Sequence, residues 1–148
     1  MMIQYNYMEL LNKPYWIVDI LPARVPKDSE GQYFAVERFM RQPDRIVSIH
    51  RKQAQILLLL NCYYDMAVSL DGGDNWIKNP DSEEFCDQLI SLPLDTFLRV
   101  LFISQDTMID INPDDTYMTA YNPSTELLEK LQQLAGAEGL FVWPGVQD

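Results

Sequence analysis

The segment that most constrains this chain is the run Phe97-Leu98-Arg99-Val100-Leu101-Phe102-Ile103. A stretch that is apolar on both faces except for one arginine cannot alternate between core and solvent. It therefore predicts a central strand covered on both sides. Residues 107–111 and 116–121 follow it across turns at Ser104-Gln105-Asp106 and Asn112-Pro113-Asp114-Asp115, so 97–121 reads as a three-stranded antiparallel meander.

A buried central strand requires covering layers, and the remaining periodicities supply them. In residues 32–41 the apolar positions Tyr33, Val36, Phe39 and Met40 fall at helical spacing, with Arg38 and Arg41 towards solvent, and Pro43 ends the segment. Asp44 can cap a second helix whose inner face carries Ile46, Ile49, Ile56, Leu57 and Leu60, making a helical hairpin. Asn79-Pro80 introduces a short helix with Phe85, Cys86, Leu89 and Ile90 inward, its first amides served by Asp81 and Glu84. Asn122-Pro123 introduces the last helix, with Leu127, Leu128, Leu131, Leu134 and Ala135 as its stripe and Gly136 as its end.

Strands are also expected at 15–21, between Pro14 and Pro22, and at 140–143, while 64–78 has the form of a hairpin turning at Asp71-Gly72-Gly73-Asp74. Ile3, Tyr5 and Tyr7 alternate with polar residues, as in a short strand or an extended arm. The expected fold is one α+β domain over 1–148, with about four helices on a mainly antiparallel sheet of five to seven strands.

Net charge is −11, unevenly distributed. Residues 1–52 carry eight basic and six acidic side chains, a balance of +2, whereas 53–148 carry three basic and sixteen acidic ones, a balance of −13. Such a field repels nucleic-acid phosphates and anionic membranes and speeds encounters with a basic protein. The longest aliphatic run, 56–60, is far too short to span a membrane, and no signal peptide is discernible. Cys62 and Cys86 show neither metal-binding nor redox spacing and read as free thiols, which points to the cytoplasm.

The chemistry available is sparse. His50, the single histidine, lies at the edge of an apolar stripe and cannot reach Cys62 along a continuous helix, twelve residues or about 18 Å away. Cys86 lies on a buried stripe, where a thiol is inert. The oxygens of residues 110–115 resemble the start of a calcium loop, but the sixth position is Asp115 instead of Gly and the twelfth is Tyr121 instead of Glu. Neither a metal nor a cofactor is expected. Glu83, Glu84 and Asp87 form an acidic group in one helical turn that also suits the helix dipole.

At the hairpin tip, Asp71 and Asp74 combine with Trp76, and Tyr64 stands nearby in sequence, in the manner of an acidic, aromatic contact surface. The expectation is thus a non-catalytic interaction domain that binds a basic protein, as an immunity-type neutraliser of a toxin or nuclease would. Two alternatives stand beside it. One is a cofactor-independent enzyme using paired carboxylates. The other is a homo-oligomer subunit, docking a second copy through Arg38, Arg41, Arg45, Arg51 and Lys52.

Overall fold

The 97–103 run supplies the expected buried central strand over 98–102, whereas Ile103 leaves it for a 3-10 turn and is 43% exposed. In the computed structural model, which describes residues 6–145, the run forms β4 (Leu98–Phe102), a strand with all five residues buried. β4 pairs with β2 (Ala67–Ser69) on one side and β5 (Thr107–Ile111) on the other. β5 continues to β6 (Met118–Tyr121), completing the meander. β3 (Ile77–Lys78) returns along β2, while β1 (Tyr15–Asp19) inserts between β6 and β7 (Phe141–Pro144). The result is a seven-stranded antiparallel sheet of order β3-β2-β4-β5-β6-β1-β7. With α1 (Tyr33–Met40), α2 (Pro43–Asn61), α3 (Ser82–Ile90) and α4 (Thr125–Ala137), the chain is an α+β fold.

One face of the sheet is closed by helices. Ile56, Leu57 and Leu60 of α2, Phe85 and Leu89 of α3, and Leu127 and Leu131 of α4 meet Val100, Phe102, Ile109, Met118 and Ala120 in one core, where dry packing against the sheet holds each helix in place. Two of the helices, α3 and α4, start with a side-chain cap. The Asp81 side chain accepts from the Glu84 amide, and the Ser124 side chain accepts from the Leu127 amide, each satisfying a donor the first turn leaves open.

The other face is only half covered. A 3-10 segment, Tyr7–Asn12, lies over the β2–β4–β5 side, where Leu10 packs with Ala67, Leu101 and Met108. Arg99 emerges on this face from an otherwise apolar strand. It is buried, and directly across the ladder its guanidinium makes two bonds to Asp110, Nε to Oδ1 at 2.9 Å and Nη2 to Oδ2 at 3.0 Å. The rings of Tyr7 and Phe97 lie 5.4 and 4.9 Å from it.

Several local expectations need correction. Tyr7 is helical, not extended; Ile3 and Tyr5 lie outside the described residues. The second helix begins after Gln42 with Pro43 in its first turn, a position where the missing N–H costs nothing, so Asp44 is not its cap. Gly136 is inside α4, and the left-handed turn before β7 falls at Gly139 (φ 77°). The stripe of α1 is not buried. No α1 side chain joins the core, whose helix layer is filled by α2, α3 and α4, and Phe34, Val36 and Phe39 remain 76%, 56% and 39% exposed. No helix among the described residues is long and apolar enough to cross a membrane.

Candidate functional site

The hairpin tip and α3 converge at the β3 edge of the sheet. Asp71 and Asn75 of the turn, Ile77 of β3, Pro80 and Gln88 of α3 line one small cleft of about 170 Å³. Asp71 is the acid of its lining, and Asp71 and Asp74 in the turn and Glu83, Glu84 and Asp87 on α3 are all exposed. Within this group Asp71 has a structural task. Its carboxylate accepts from the Asp74 and Asn75 amides, the Asn75 side chain and the Ser69 hydroxyl, and these donors depress its pKa to about 2.

The two aromatics expected beside these acids have partners within the fold. Trp76 is half-buried, packs edge-on against Tyr7 at 5.2 Å and donates its indole N–H to the Gly73 carbonyl at 2.9 Å. Tyr64 is buried against Phe102, and its hydroxyl donates to Glu126 at 3.0 Å. Gly73 takes a positive φ of 103°, which strains any other residue, at a point where an added Cβ would also displace the Tyr7 side chain.

Every cation in residues 53–148 is already committed. Lys78 pairs with Asp65 at 3.6 Å, Arg99 with Asp110 and Lys130 with Glu126 at 3.1 Å, all acids of the same part of the chain. From outside it, Arg41 reaches Asp114 at 3.4 Å. Among the described residues, Asp74, Glu83, Glu84 and Asp87 have no ion pair, and neither do Asp71, Asp81, Asp95, Asp106, Asp115, Glu129 and Glu138, so the hairpin tip and α3 carry part of an unpaired acidic excess spread over the second part of the chain.

The basic residues of the helical hairpin are partly engaged. Arg41 also bonds Glu37, and the Arg45 guanidinium lies 3.8 Å over the Phe39 ring; Arg38 and Arg51 are exposed and Lys52 half-buried.

His50 is buried, with Nε2 2.9 Å from the Pro113 carbonyl and Nδ1 2.7 Å from the Gln53 side chain. It pins α2 to the β5–β6 turn. Nε2 donates to that carbonyl, and the Gln53 side-chain nitrogen is buried without a hydrogen-bond partner. Both cysteines are free, and no cluster of His, Cys, Asp or Glu suited to a metal occurs among the described residues.

A second and larger concavity was not foreseen. It occupies the uncovered β6–β1–β7 side of the sheet, with a volume of about 710 Å³. Its floor is a set of in-register neighbours: Tyr121 opposite Tyr15, and Thr119 opposite Ile17 opposite Trp143. Asp19, Tyr117 and Tyr33 close one end, while Leu21, Ala23, Arg24 and Val25 form a wall.

Several of these groups are held in place. The Trp143 indole donates to the Leu21 carbonyl at 3.0 Å, Tyr33 donates to Glu37 at 2.6 Å, and the Asp19 carboxylate accepts from the Ile20 amide at 2.7 Å. Burial raises the pKa of Asp19 despite that amide bond. The bond to Glu37, with burial second, pushes the Tyr33 phenol up to about 12. Burial, with the charges of Asp115 and Asp19 behind it, raises Tyr117.

The signal for this groove was present in the alternation Tyr15, Ile17, Asp19 and Tyr117, Thr119, Tyr121, which is polar-aromatic on one face. It had no meaning until the strands were known to be neighbours. No protein-family model, curated protein or solved structure matches the chain.

Proposed function

We propose that this chain is a non-catalytic interaction domain whose acidic β3 edge binds a basic protein, acting as a neutraliser of a cationic toxin or nuclease. The observation that carries this reading is the commitment of all three cations of residues 53–148 to nearby acids, while Asp74 of the hairpin tip and Glu83, Glu84 and Asp87 of α3 stay exposed and free of ion pairs. Water-exposed carboxylates that attract no internal cation keep their field for an external one.

Affinity capture from the native host at low salt tests it, with the wild type beside a variant carrying Asp74→Asn, Glu83→Gln, Glu84→Gln and Asp87→Asn. A basic protein retained by the wild type, released by salt and missed by the variant is the expected result. Equal retention by both refutes the assignment of the edge.

A further inference from the structure

We infer that the groove over β6, β1 and β7 is a binding site for an organic ammonium group, with the Asp19 carboxylate as counter-ion and Tyr15, Tyr33, Tyr117, Tyr121 and Trp143 as its aromatic walls. This site is separate from the acidic β3 edge, at the opposite end of the strand order, and does not depend on how that edge is used.

Three observations support it. At about 710 Å³ the groove falls within the range of small-ligand sites, about 300–1,000 Å³. Its lining joins aromatic rings to one carboxylate, and this is the combination that recognises alkylammonium ions: the rings present negative faces to a cation too weakly hydrated to resist desolvation, and the carboxylate supplies the net charge. Finally, the site is set before binding. Trp143 is tied to Leu21, Tyr33 to Glu37 and Asp19 to Ile20, so little side-chain freedom remains to be lost.

The surroundings have the appropriate sign. Glu37 and Asp115 act on the Tyr33 and Tyr117 end of the groove together with Asp19. Arg24 is the one cation of the described lining and is exposed on the connection between β1 and α1.

Calorimetric titration of the full chain with choline, with its neutral isostere 3,3-dimethylbutan-1-ol, and with a short peptide bearing trimethyllysine tests the inference. Choline or the peptide should bind at least about tenfold more tightly than the isostere, the scale of one desolvated cation contact. Tighter binding of choline assigns a free small cation, and tighter binding of the peptide assigns a modified protein tail.

Asp19→Asn keeps an oxygen for the Ile20 amide and should lose about tenfold in affinity with its thermal transition intact. Thr119→Trp, which fills the floor, should abolish binding. Equal affinity for the neutral isostere, undiminished binding by Asp19→Asn, or no saturable binding of either cation would overturn the assignment.

Discussion

Asp71 looks from the sequence like one acid among many at a glycine turn. In the folded chain it is the hub of the turn, accepting from two amides, an amide side chain and a hydroxyl. Because these bonds favour the carboxylate, the folded pKa of about 2 lies below the ordinary value of 3.8, and the proton binds more readily to the unfolded chain. The contribution of Asp71 to stability is therefore complete above pH 4 and is lost as pH falls towards 2. In acid titrations followed by circular dichroism, Asp71→Asn should already lack this contribution at neutral pH and show a shallower decline over that interval. Parallel acid profiles for the two proteins would count against it. His50 makes the same point about context. Its helical position was readable, but the carbonyl it bonds belongs to Pro113, sixty-three residues away, which no local pattern can indicate.

At the scale of elements, the strands and helices with strong periodicity formed where expected, and the discrepancies have physical causes. α1 has the right spacing for an amphipathic helix, yet burial is settled by whether a partner surface is free, and α2, α3 and α4 already occupy the core. Replacing Phe34 and Val36 together by Ser should thus change unfolding free energy by only about 0.5 kcal/mol in denaturant titrations, the usual scale for exposed sites. Phe85→Ala, on the equally short α3 but fully buried, should cost about 3–5 kcal/mol. A large loss on the α1 substitutions would mean that its apolar face is covered after all. The expectation at Tyr7 failed for a related reason: Tyr7 is drawn into a 3-10 turn by Leu10 packing on the sheet, and tertiary contact overrides a weak local alternation.

For the molecule as a whole, the charge balance makes a prediction opposite to that for a fold held together by ion pairs. With a net charge of −11 and only five ion pairs among the described residues, self-repulsion outweighs pairing. Raising NaCl from about 0.1 to about 1 M shortens the screening length from about 10 to about 3 Å and should raise the thermal midpoint. A midpoint that falls with salt would show that the pairs dominate.

The amino-acid order alone determined the α+β class, the meander, the inward faces of α2, α3 and α4 and the acidic bias of residues 53–148, because each rests on local periodicity or on summed charge. Only the tertiary structure decided that β1 lies between β6 and β7, that α1 stays outside the core, and that Tyr15, Asp19, Tyr117, Tyr121 and Trp143 share one groove. Pairing between strands about a hundred residues apart is selected by how the whole apolar surface can be buried at once, and that quantity belongs to no segment.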